Sequence, residues 1–207
     1  MRLVLAFRGQ GMGTAELFDI RSDMWKSAFG RGLPYQAFVA TGAPSHQQRW
    51  QDYEGRISLS DSQKKLLAGF SRQINVVVLA GMWCGDCARQ CPMLAKLADA
   101  SSAIQLRFID NQADVQVRDE LRVHGAARVP ATVLLSEDMF EVARGPDRTL
   151  AAYRRKAVTE LGAACDLGIV APPASDMSAE LQEWIDLFER AHILLRVSPF
   201  LRNRHHD

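Results

Sequence analysis

Apolar and polar positions divide the chain into segments of contrasting period. Ile74-Asn75-Val76-Val77-Val78-Leu79-Ala80 is a β-branched apolar block of strand length. Pro92 to Ala100 is rich in helix formers, with apolar residues spaced for one buried face. Ile104 to Asp110 alternates at period two and predicts a second strand. Asp114 to His124 predicts a helix with Val115, Val117 and Leu121 partly lining one face, ended by Gly125. Thr132 to Leu135 and Phe140 to Ala143 flank Ser136-Glu137-Asp138-Met139 as a hairpin, and a helix follows over about Thr149 to Ala164.

The regions on either side read as helical. A weak pattern over Ala15 to Gly30 carries Leu17, Phe18, Met24, Trp25 and Phe29 as the face of a docking helix. Tyr35 to Ala40 predicts one short helix, and His46 to Arg56 another with Trp50 and Tyr53 on one face. Ser60-Asp61-Ser62-Gln63 has the form of a capping box, followed by Leu66, Leu67 and Phe70 as a buried stripe. Beyond Gly168, Ala171-Pro172-Pro173-Ala174 is a stiff break. Leu181, Trp184, Ile185, Phe188, His192 and Leu195 then make an amphipathic helix, which either packs back onto the core or forms a dimer contact. Arg202 to Asp207 reads as a frayed end.

Chemistry concentrates where the first strand meets its helix. Cys84-Gly85-Asp86-Cys87 sits at the helix opening, where unpaired N–H groups and the macrodipole favour negative charge. Cys84 is expected at or just before the first turn with a stabilised thiolate, and Cys87 a turn deeper. Thiolate is the nucleophile, so Cys84 attacks a disulfide and Cys87 resolves the mixed disulfide. Cys91 lies four residues beyond Cys87 on the same helix face. It reads as a small buried side chain, as an auxiliary thiol, or as a third metal ligand. The metal reading is disfavoured because Cys84 and Cys91 would stand about 10 Å apart along a helix, so no metal site is assigned. Cys165 is expected to be structural.

Composition narrows the class. A formal net charge of +1 over 207 residues leaves no nucleic-acid footprint. No stretch approaches the roughly 18 apolar residues of a membrane span, and Met1 to Arg8 lacks the form of a signal peptide. Three of the four cysteines crowd into one site, as reactive thiols do in a reducing compartment, so a cytoplasmic location is expected. Gly9-Gln10-Gly11-Met12-Gly13 lacks the Gly-Lys-Ser/Thr ending of a phosphate loop.

The chain resembles the thioredoxin-like family on three separated pieces. They are Trp83-Cys84-Gly85-Asp86-Cys87 with Pro92, then Arg128-Val129-Pro130-Ala131-Thr132 as the cis-proline loop, then Arg144-Gly145 closing the last strand. The resemblance implies an α/β thioredoxin-like fold, a mixed central sheet flanked by helices, with helical N-terminal and C-terminal extensions. It divides the chain into an extension over 1–72, a thioredoxin-like domain over 73–168, and a linker with a terminal helix over 169–207. It implies a thiol–disulfide oxidoreductase that reduces protein disulfides through Cys84 and Cys87, with Trp83, Val129 and Pro130 shaping the groove for an extended client. No organic cofactor is expected. The partners expected are client proteins with disulfides and a reductase as electron donor, with the chain a monomer or dimer and no nucleic acid or membrane bound. A redox-sensing module, whose dithiol switches contacts without turnover, is the alternative.

Tuning of the dithiol is expected from its neighbours. The charge of Asp86 opposes a Cys84 thiolate and raises its pKa, giving a more reducing couple. Arg128 either sits across the site and pulls the other way or is an exposed loop arginine. Val78 stands where the family places a buried aspartate, so either proton removal from Cys87 falls to water or another base such as His124, or the resolving step is slower than in thioredoxins.

Overall fold

The computed structural model describes residues 18–161 and 176–206. Among the described residues, four helices precede the sheet, namely α1 (Ser22–Arg31), α2 (Tyr35–Val39), α3 (Pro44–Glu54) and α4 (Asp61–Ala68). The core then runs β1 (Ile74–Ala80), α5 (Gly85–Asp99), β2 (Ile104–Asp110), α6 (Val115–Glu120), β3 (Ala131–Leu135), β4 (Glu141–Gly145) and α7 (Leu150–Leu161). Two further helices, α8 (Ser178–Val197) and α9 (Pro199–His205), follow. The strands lie in the order β2-β1-β3-β4, with β1 and β2 parallel and the other pairs antiparallel.

All seven residues of β1 are buried, because helices cover both faces of the sheet. Val76 and Val78 point into a core shared with α3, α5 and α8. Val77 and Leu79 point into a smaller core with Trp25 of α1 and Val117 of α6. The helices before the sheet therefore build core on both faces. Leu33 also exchanges two backbone hydrogen bonds with Phe108 at 2.8 Å, extending the sheet beyond β2. The capping box at Ser60 and Gln63 forms as expected.

Three sequence expectations differ from the structure. The first helix begins at Ser22, because the Asp19 carboxylate accepts the N–H of Arg21 at 2.9 Å and that of Glu141 at 2.8 Å. The bond from Glu141 ties this turn to β4, and Phe18 and Ile20 are exposed; the start expected near Ala15 lies outside the described residues. The helix expected to reach His124 stops at Glu120. Val123 and Ala126 then pair across a tight turn whose central residues, His124 and Gly125, have φ of 53° and 74°. Val115 faces solvent, whereas Val117 and Leu121 are buried.

The third difference is the C-terminus, where the expected frayed end is helix α9 as far as His205. Ser198 caps it, Pro199 occupies its first turn, and His205 Nε2 lies 3.0 Å from the Asp138 carboxylate in the β3–β4 turn. Helix α8 buries Leu181, Trp184, Ile185, Phe188 and Leu195 in the core, the packing that its stripe allowed. His192 stacks on Phe70 at 4.4 Å and accepts the Ser71 N–H at 3.0 Å. The glycine-rich segment at 9–13, Cys165, the proline break at 171–174 and Asp207 lie outside the described residues. Among the described residues no helix is long and apolar enough to cross a membrane.

Candidate active site

The site grows from the β1–α5 turn. The Cys84 N–H donates to the Gly81 carbonyl at 3.0 Å, which folds the chain back after the strand. Cys84 keeps an extended backbone as the N-cap of α5, and its sulfur accepts the Cys87 N–H at 3.4 Å. A cysteine sulfur thus does at this helix what a serine or aspartate oxygen does elsewhere. A Cβ at Gly81 would stand 2.7 Å from Trp83 Nε1, so a larger residue there would displace the indole. The indole of Trp83 lies over that glycine and remains 54% exposed.

The opposite wall comes from the loop before β3. The Val129–Pro130 peptide is cis, and the Cys84 thiol donates to the Val129 carbonyl at 3.4 Å. Trp83, Cys84, Val129 and Pro130 therefore gather at one place. Cys84 is 8% exposed, while Cys87 and Cys91 are fully buried. Of these three cysteines, Cys84 alone keeps any exposure.

Burial changes the electrostatics expected from the sequence. The Cys84 thiol is pushed up, first by its hydrogen bond with Cys87 and then by burial, against the N–H groups of Cys87 and Asp86, which pull it down. Burial pushes Cys87 well above the ordinary thiol range; its contact with Cys84 offsets part of that rise and the adjacent Cys91 adds to it. The helix N-terminus acts in the expected direction, but enclosure of two thiols outweighs it.

Asp86 and Arg128 belong to a charged rim that the sequence reading did not assemble. The Asp86 carboxylate pairs with Arg148, so its charge is half of an ion pair. Arg148 lies 3.8 Å from Asp147, and Arg128 lies 3.5 Å from the same carboxylate. Tyr153 donates its hydroxyl to Asp147 at 2.8 Å, and Gln90 of α5 donates to the Asp147 carbonyl at 2.9 Å. Arg128 thus joins a network, with its side chain part-exposed. The signal available in the sequence was the turn Gly145-Pro146-Asp147-Arg148, whose two charges directly follow the last strand.

Two supports come from distant parts of the chain. Trp50 Nε1 donates to the Met82 carbonyl at 3.2 Å, holding the turn between Gly81 and Cys84. Arg89 of α5 pairs with the fully buried Glu180 of α8 at 2.8 Å, and Arg155 of α7 reaches the same oxygen. Val78 is buried with no carboxylate of its own. His124 lies in the turn after α6 and makes no hydrogen bond to either cysteine among the described residues. Nor do the described residues contain a group of three His, Cys, Asp or Glu placed to hold a metal ion.

A family model described as thioredoxin matches residues 32–147, more than half of the 207-residue chain. No curated protein matches the sequence. Among solved structures, a Pseudomonas aeruginosa protein of unknown function aligns at a TM-score of 0.61 and 19% identity, over 81% of this chain and 95% of its own. An HIV epitope-scaffold aligns at a TM-score of 0.55 and 21% identity, over 81% of this chain and 92% of its own. Mitochondrial thioredoxin 3 from Saccharomyces cerevisiae aligns at a TM-score of 0.31 and 21% identity, over 45% of this chain and 86% of its own. With a mixed sheet, a dithiol capping the first core helix, a cis-proline loop beside it and a matching family model, the chain belongs to the thioredoxin family.

Proposed function

We propose that the protein is a thiol–disulfide oxidoreductase that reduces protein disulfides through Cys84 and Cys87. The observation that carries this reading is the Cys84 sulfur, held between the Cys87 N–H and the Val129 carbonyl at the edge of the surface. Cys84 as thiolate attacks one sulfur of a client disulfide, and the other client sulfur leaves and takes up a proton. Cys87, losing its own proton, then attacks Cys84 and expels the second client sulfur. The client gains two electrons and the enzyme ends with a Cys84–Cys87 disulfide. A reductase or an external dithiol returns the electrons.

Trp83, Val129 and Pro130 form the client groove in this reading, and Asp86 and Arg128 tune the site through the charged rim. Residues 73–168 hold the chemistry, with 1–72 and 169–207 as extensions. The crowding of thiols supports a reducing compartment such as the cytoplasm. The test is turnover of an insulin disulfide with dithiothreitol as donor. Cys84→Ser is expected to reduce the rate to that of dithiothreitol alone, and Cys87→Ser to trap a mixed disulfide at Cys84. A wild-type rate no faster than dithiothreitol alone would overturn the reading.

A second reading draws on the two long-range supports. Trp50 holds the dithiol turn and Glu180 holds α5, so a redox change at the dithiol would be felt by the flanking helices. A redox-dependent change in oligomeric state without turnover would favour this sensing module.

A further inference from the structure

We infer that Cys91 is a third redox-active thiol, which exchanges with Cys87 to give a second, buried disulfide. The inference rests on the Cys84–Cys87 chemistry proposed above. Cys84, Cys87 and Cys91 stand at relative positions 0, 3 and 7 along α5, so their side chains form one stripe down the helix. Cys84 caps the first turn with its sulfur folded back onto the Cys87 N–H at 3.4 Å. Cys87 is therefore the middle sulfur of a row, with a neighbour on each side.

That order matters because thiol–disulfide exchange joins an attacking, a central and a leaving sulfur. With a Cys84–Cys87 disulfide in place, Cys91 gives up its proton and attacks the Cys87 sulfur. The Cys84–Cys87 bond breaks as the Cys87–Cys91 bond forms, and Cys84 leaves as thiolate and takes the proton. No net oxidant is consumed, since one disulfide replaces another. Cys87 and Cys91 are both fully buried, and their contact is close enough to raise the Cys87 thiol.

The exchange requires a local change in the helix. Residues four apart on a helix have Cβ atoms about 5–6 Å apart, against about 4 Å in a disulfide. The turn must tighten, and it is the turn that Pro92 follows. Proline has no N–H for the Ala88 carbonyl, so one restraining hydrogen bond of that turn is missing. The product holds its disulfide in the core and returns Cys84 to the surface as a thiol. External dithiols reach the oxidised pair only after the reverse exchange.

Peptide mapping tests this directly. The full-length chain is oxidised with glutathione disulfide, quenched and unfolded in acid, and alkylated with N-ethylmaleimide. Cleavage before Asp86 and after Arg89 places the three cysteines on separate peptides. The expected map contains two oxidised isomers, one with Cys84–Cys87 joined and one with Cys87–Cys91 joined and Cys84 alkylated. Cys91→Ala is expected to leave only the first and to turn a biphasic re-reduction by dithiothreitol into a single phase. A folded Cys84→Ser variant is expected to form little Cys87–Cys91 bond with glutathione disulfide, because the oxidant reaches the buried pair only through Cys84. If Cys84–Cys87 forms but Cys91 is alkylated in every oxidised chain, the inference is overturned while the proposed function stands. If Cys84–Cys87 never forms, both are overturned.

Discussion

Two groups of ion pairs bind the outer elements to the sheet, and they differ in what surrounds them. Arg89, Glu180 and Arg155 join α5, α8 and α7 behind the dithiol, with the Glu180 side chain fully buried. Arg21, Glu120, Arg144 and Glu141 join α6, β4 and the turn before α1, and all four side chains are partly in water. In the first group each charge depends on its partners, because water cannot replace them. In the second, solvent and salt substitute readily. The support of the dithiol helix is thus the more brittle of the two.

Changing the buried carboxylate should break this contrast most strongly. Glu180→Ala leaves the two guanidinium groups facing a cavity and is expected to cost about 3–5 kcal/mol in denaturant unfolding. A loss below about 1 kcal/mol would mean that the cluster is no more demanding than the exposed one.

The Trp50 hydrogen bond is a smaller test of the same principle. Trp50→Phe keeps most of the ring but leaves the Met82 carbonyl without its donor, an expected cost of about 1–3 kcal/mol. Because that carbonyl belongs to the turn before Cys84, the alkylation rate of Cys84 should change as well. An unchanged rate would show that the turn is held by its own bonds alone.

The smallest effect belongs to the exposed group. Glu120 accepts from Arg144 at 2.5 Å and from Arg21 at 2.9 Å, and Arg144 before all others holds its carboxyl below the usual range. Glu120→Gln is expected to cost less than about 1 kcal/mol, and less again in high salt. A salt-independent loss as large as that of Glu180→Ala would erase the distinction between the two regions.

The same contrast explains what the sequence made legible. The dithiol at the opening of α5 and the order of strands and helices along the core rest on residues close in the chain or on patterns of fixed period, and the cis-proline loop on the family resemblance. Trp50 against Met82, Arg148 against Asp86 and Glu180 against Arg89 join residues distant in sequence, and no local period announces such pairs. The start of α1 was misjudged because the Asp19 carboxylate answers to an N–H of β4. Net ionisation at Cys84 was misjudged for a related reason. The helix N-terminus is visible in the sequence, whereas the burial that opposes it is a property of the packed molecule.

The most direct test of the central claim is the reduction potential of the Cys84–Cys87 pair, measured by equilibration in glutathione buffers with the disulfide assigned by mass. Neither thiol is held low, so the reduced form gains no special stability from a thiolate. The account predicts one two-electron transition nearer about −270 mV than about −120 mV. A Cys84–Cys87 pair that forms no disulfide at any poise, or one that titrates near the oxidising value, would contradict it.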